Sequence, residues 1–206
     1  MNSRRELMGV RDLVRVTFIA AVGATALTAC SAPPPHPQYP DIRFTNESPI
    51  GLAVNTVSLR EGYTPSPTPP HVETQFPVTP MHALETWAHD RLSASGGTDR
   101  AVVDITEASA VEVALPRTQG VQGMFTTDQS ERYDLTVQAT INIIDPTGLV
   151  VRTATAHASR SQSVAENISP DQRDQTWYDM TKDIMTAFDR QMENEVRNHF
   201  TGFVTH

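Results

Sequence analysis

The chain has 206 residues, 16 basic and 24 acidic, for a net charge of −8, and it holds a single cysteine. An acidic chain suits neither nucleic acid nor an anionic lipid surface, and one cysteine excludes a disulfide framework. The length fits one domain.

Residues 1–15 carry Arg4, Arg5, Arg11 and Arg15 against Glu6 and Asp12, and residues 16–27 (VTFIAAVGATAL) are uncharged and apolar or small. That run is about half of the ~20 residues needed to span a bilayer. A basic start, a short apolar middle and small residues at the end form an export signal, not a membrane-spanning helix. The run closes on Leu27-Thr28-Ala29-Cys30. This resembles the bacterial lipobox, in which the cysteine thiol joins diacylglycerol, the signal is cut just before it and the new amino group is acylated. Lipidation would also explain a lone thiol in an exported chain, where cysteines otherwise pair. Three acyl chains would hold a bilayer far more firmly than one. Ser31, standing where an inner-membrane retention Asp would sit, leans toward the outer membrane. Cutting before Cys30 removes four arginines and two acids, which takes the net charge from −8 to −10. The expected organisation is a signal peptide at 1–29, a lipidated Cys30 with a spacer at 30–40, and one periplasmic domain at 41–206.

SAPPPHPQYP, residues 31–40, is proline-rich. Such a stretch is extended and semi-rigid, with a reach of ~30 Å for ten residues. A second cluster, TPSPTPPH at 64–71, falls inside the domain and reads as an ordered loop. Between them, Leu52 and Val54 share one face and Val57 and Leu59 the next, which predicts a single strand over 50–59 with a bulge.

Residues 79–94 predict a helix capped by Thr79 and opened by Pro80, with Leu84, Trp87, Ala88 and Leu92 at helical spacing and Gly96-Gly97 as the stop. Residues 101–115 predict a strand with Val103, Ile105, Val111, Val113 and Leu115 on one face. Tyr133, Leu135, Val137, Ala139, Ile141 and Ile143 alternate without a break in the next strand. Asp145-Pro146-Thr147-Gly148 has type I turn chemistry, and its return strand puts Ala154, Ala156 and Ala158 on one face, small enough to admit a helix closely. Ser169-Pro170-Asp171-Gln172 reads as a capping box. Trp177, Ile184, Phe188, Met192 and Val196 then follow at helical spacing. The expected fold is α+β, a mostly antiparallel four-stranded sheet with two helices packed on one face, in the order strand, helix, three strands, helix.

No catalytic signature is present: there is no nucleophile elbow, dinucleotide turn or P-loop. His82, Glu85 and His89 share a helical stripe, but it lies opposite Leu84 and Trp87 and is read as a solvated face, so no metal or other cofactor is assigned. Two places stand out. In the segment 116–132, Met124 and Phe125 follow Gly120 and Gly123; they would form a docking tip for a partner or lipid, unless the ring folds back to seal the core, which is the favoured reading. At the junction of last strand and last helix, Arg160, Glu166, Arg173 and Trp177 would either fix a corner by ion pairing or line a pocket.

The signal and lipobox, the proline-rich spacer and the element order resemble small envelope lipoproteins that assist transport systems, among them the auxiliary lipoproteins of ABC-type transporters and the lipopolysaccharide-assembly lipoprotein. FTTDQSERYD (125–134) and RSQSVAENISPDQRDQTWYDMT (160–181) are similar to an alphaproteobacterial lipoprotein family without a known activity. The resemblance implies a non-enzymatic accessory or scaffold protein, tied to a bilayer through Cys30 and working with an envelope protein. The alternative is a periplasmic small-ligand binder or enzyme using the corner near Arg160 and Arg173.

Overall fold

The computed structural model describes residues 38–116, 129–165 and 167–205. In chain order the elements are β1 (Ile50–Leu52), β2 (Thr56–Glu61), α1 (Pro80–Arg91), β3 (Leu92–Ala94), β4 (Arg100–Ala114), β5 (Gln129–Ile144), β6 (Val150–Ala165), α2 (Pro170–His199) and β7 (Val204–Thr205). The main sheet has four strands in the order β2-β4-β5-β6. Its β4–β5 and β5–β6 junctions are antiparallel and its β2–β4 junction is parallel. A parallel junction needs a crossover, and α1 supplies it. The fold is therefore α+β as expected, with a mixed sheet and a second small sheet, β3-β1-β7, that the sequence did not announce.

The predicted strand over 50–59 is two strands in different sheets. After β1 the chain turns: the Val54 N–H bonds the Leu52 carbonyl at 2.7 Å, the Ala53 N–H goes to Phe203 and the Asn55 N–H to Asp99. The slip of phase in the sequence marks a change of sheet instead of a bulge. At the same place Gly97, at φ 137°, passes so close that a β-carbon would stand 2.7 Å from the Ala53 carbonyl oxygen. Only glycine fits there.

Helix α1 starts as its sequence predicts, with the Thr79 side chain accepting from the His82 N–H at 3.2 Å and Pro80 in the first turn. It ends sooner, at Arg91, because Leu92 turns extended and joins β1 as β3, so Gly96-Gly97 is not its stop. Ala83, Leu84, Trp87 and Ala88 face the core.

Strand β4 carries the bulge, between Ile105 and Glu107. Ala101, Val103 and Ile105 point inward before it, and Ala108 and Ala110 after it. Val111 and Val113 are thereby rotated to the outer face and half exposed. Strand β5 needs no correction: all six of its alternating apolar residues are buried, each such Leu, Ile or Val contributing about 1.5–3 kcal/mol. It begins at Gln129, so the segment joining it to β4 is shorter than 116–132. The Asp145 carboxylate accepts from the Thr147 and Leu149 N–H groups, both at 2.9 Å, and closes the turn to β6. There Gly148 holds φ 93°, a conformation that glycine adopts freely.

Ala154, Ala156 and Ala158 are buried on β6, and α2 lies over them and the inner face of β5. Its 30 residues span ~45 Å, enough to cover most of the length of the 16-residue strands β5 and β6. Both halves of its capping box form, at 3.0 and 3.2 Å. Trp177, Ile184, Phe188, Met192 and Val196 all face the core. The Trp87 ring meets Phe188 edge-on, with centroids 5.0 Å apart, and its Nε1 donates to Asp189 at 2.8 Å. Buried Arg91 also donates to Asp189, to Glu193 at 2.7 Å and to the Ser48 carbonyl. That network ties α1, α2 and the segment before β1 together.

Candidate functional site

The strand–helix corner is built around Trp177, which is buried between the Phe76 ring, stacked at 4.9 Å and 6°, and the Tyr133 ring, edge-on at 5.3 Å. The tryptophan is thus a core residue sealing one end of the sheet. The Arg173 guanidinium lies over its ring, 6.0 Å from the centroid, and 4.0 Å from the Glu131 carboxylate. Glu131 in turn accepts from the Tyr133 hydroxyl at 2.9 Å. Burial pushes the Tyr133 phenol up, and the bond to Glu131 pushes it further. Among the described residues, Arg173 Nε and Trp177 Nε1 are buried without a hydrogen-bond partner.

Arg160 does not join this group. It faces inward from β6 opposite Leu135 and pairs with Asp183 of α2 at 2.7 Å. Asp183 is ten residues beyond Arg173, or ~15 Å along the helix. The two arginines therefore serve different points of the sheet–helix seam and do not converge on a common ligand. Glu166, Met124, Phe125 and Cys30 lie outside the described residues.

The helical stripe of α1 is engaged locally. His82 stands 3.2 Å from Asp41 and 3.6 Å from Glu85, and His89 stands 3.5 Å from Asp90. Among the described residues no group of three or more His, Cys, Asp or Glu is placed to hold a metal, and no helix is long and apolar enough to cross a membrane.

Three features escaped sequence reasoning. Glu73 is fully buried under the proline-rich loop, where it accepts from the Tyr63 hydroxyl at 2.9 Å, the Ser66 N–H at 2.8 Å and the Ala110 N–H at 3.3 Å. Burial pushes its carboxyl up, but these donors and its own N–H outweigh that and hold it below the usual range. His71 comes within 3.3 Å of it. The second feature is a groove of about 460 Å³ between β2 and α1, floored by Val57, Leu59, Val103, Ala88 and Leu92, with Glu85 and His89 at its rim. Val57 and Leu59 on one face were the available signal, since both remain incompletely covered. The third is an apolar tip on the β5–β6 hairpin, where Leu149 and Val150 are 66% and 54% exposed.

No family model matches the chain, and no curated protein matches it. Solved structures superpose on it in part. A Caulobacter crescentus protein assigned as a lipoprotein is 13% identical, with 50% of this chain and 66% of that one covered and a TM-score of 0.31, so the chain spans just under two-thirds of that protein's length. A minor lipoprotein of Acinetobacter baumannii is 18% identical, over 72% and 96% of the two chains, with a TM-score of 0.36. A Xanthomonas campestris protein of the DUF330 family is 10% identical, over 78% and 92%, with a TM-score of 0.27. Superpositions this loose carry no argument about activity or location.

Proposed function

We propose that the chain is an exported lipoprotein, held by acyl groups on Cys30 at the periplasmic face of the envelope, whose folded domain is a non-enzymatic accessory or scaffold component of a transport or assembly system. The observation that carries this reading is Leu27-Thr28-Ala29-Cys30 at the end of a short uncharged run, with a proline-rich stretch behind it. The outer membrane is the favoured site because Ser31 supplies no retention Asp. Two features of the domain support docking over turnover. Arg160 and Arg173 are spread along a helix–sheet seam, and apolar side chains stand exposed at Leu59, Leu149 and Val150. The likeness of residues 125–134 and 160–181 to alphaproteobacterial lipoproteins is part of the same reading.

A second reading, small-ligand binding at the strand–helix corner, rests on Arg173 Nε and Trp177 Nε1, which find no partner among the described residues. Cell fractionation with crosslinking tests the first. The wild-type chain should sediment with membranes and crosslink to an envelope protein. Cys30→Ser should accumulate as a longer or soluble form and lose that crosslink. A variant that keeps both membrane association and crosslink would contradict the tethered accessory.

A further inference from the structure

We infer that the free edge of β2 is a docking site for an extended peptide segment of a partner protein, added as a fifth strand with apolar residues at alternate positions and a basic residue beside them. The inference deepens the accessory reading by naming its surface and its partner's chemistry.

The main sheet ends in two edges, and they differ. On β6 two arginines point inward along the edge: Arg152 lies over the Phe203 ring at 5.9 Å and Arg160 pairs with Asp183. Inward charges on an edge strand guard against strand addition. On β2 the inward positions are Val57 and Leu59, which face the same side as Ala101 and Val103 of β4. Among the described residues β2 is paired with β4 alone. Its outward side chains are committed to β4, with the Ser58 hydroxyl on the Ala101 carbonyl and Arg60 on Asp104. Among the described residues no strand pairs with the opposite edge of β2, which leaves a row of backbone donors and acceptors without a ladder there.

Val57, Ser58 and Leu59 of the same strand line the groove. Leu59 is 40% exposed within it, and an incoming strand would set one or two apolar side chains between Leu59 and the Ala88–Leu92 side of α1. Backbone pairing would supply affinity and the groove specificity, the usual division in strand addition. Six residues of β2 offer ~20 Å of edge. Charge selects the occupant. Among the described residues Glu85 on the rim is met by His82, at 3.6 Å, and Glu61 is exposed at the end of the strand. A second copy of this acidic chain would repeat those carboxylates, whereas a segment with Arg or Lys would complement them.

Selection from a random twelve-residue peptide library, against the full chain in detergent, tests this without depending on acylation. Failure here leaves the tether untouched, and failure of the tether leaves this result standing. Selected peptides should alternate apolar residues next to Arg or Lys, and should slow amide exchange over residues 56–61 while leaving 150–165 unchanged. Leu59→Asp should weaken them at least ~10-fold with an unchanged melting temperature, because the position is already part exposed. Glu85→Gln should weaken them several-fold and flatten their salt dependence. No enrichment over the Leu59→Asp protein, acidic selected peptides, or protection of β6 in place of β2 would overturn the inference. So would protection of 56–61 by detergent before any peptide is added, which would assign the groove to acyl chains.

Discussion

Asp90, near the end of α1, accepts from Nε and Nη2 of Arg43, at 2.8 and 2.7 Å, and from the Phe44 N–H at 2.9 Å. The Arg43 hydrogen bonds come first among the forces that hold its carboxyl down, at about 2 against an ordinary 3.8, with the Phe44 N–H adding to them and burial opposing. A carboxyl lowered in the folded chain stabilises fully above its unfolded pKa and loses that contribution as pH falls through the folded value. With Arg43 half exposed, the contribution is about 1–2 kcal/mol after allowance for solvent screening. Asp90→Asn should therefore unfold at lower urea than wild type at pH 7, and the gap should close between pH 4 and pH 2. An undiminished gap at pH 2 would show that the pairing is not its source. Neither this pair nor the Glu73 cluster was legible in the sequence. Arg43 and Asp90 are 47 positions apart, and Glu73 and Ala110 are 37 apart, so only the fold brings them together.

At the scale of elements, the legible ones were those whose own periodicity met one uninterrupted partner face. β5 alternates from Tyr133 to Ile143, flanked by β4 and β6 on both sides, and α2 carries its cap and its apolar stripe in one stretch. What the sequence hid was long-range. β1, β3 and β7 are two or three residues each and exist only by pairing, β1 with β3 from Ile50 to Leu92 and β1 with β7 from Gly51 to Thr205. The bulge in β4 turned Val111 and Val113 outward, where plain alternation places them inside. Of the candidate corner, Trp177 was legible as part of the apolar stripe of α2, while the acids that Arg160 and Arg173 meet, Asp183 and Glu131, were not, and Glu166 lies outside the described residues. The alanine face of β6 gives the sharpest test at this scale. Ala156 is fully buried where α2 crosses the sheet, so Ala156→Leu should overpack the seam and cost about 1–3 kcal/mol in a urea melt. An unchanged midpoint would mean that the helix does not sit close on that face.

Across the whole domain, the two ends differ. Tyr39, near the start of the described chain, packs on Tyr178 at 5.2 Å and reaches the Asp171 carbonyl, which places it at the N-terminal end of α2. Residues 115 and 130, which flank the segment holding Met124 and Phe125, meet there as well, with the Leu115 N–H on the Ser130 carbonyl at 2.8 Å. The β5–β6 hairpin, with Leu149 and Val150, stands at the other end of a helix ~45 Å long. Cys30 is nine residues before Tyr39, a reach of at most ~30 Å. The proposed role at the envelope depends on the acyl anchor at Cys30. Metabolic labelling with alkyne-tagged palmitate tests it most directly: the wild-type chain should take up label and run shorter than its precursor, and Cys30→Ser should remain unlabelled and uncut. Equal labelling of the variant, or a processed wild-type chain that carries no label, would contradict the account.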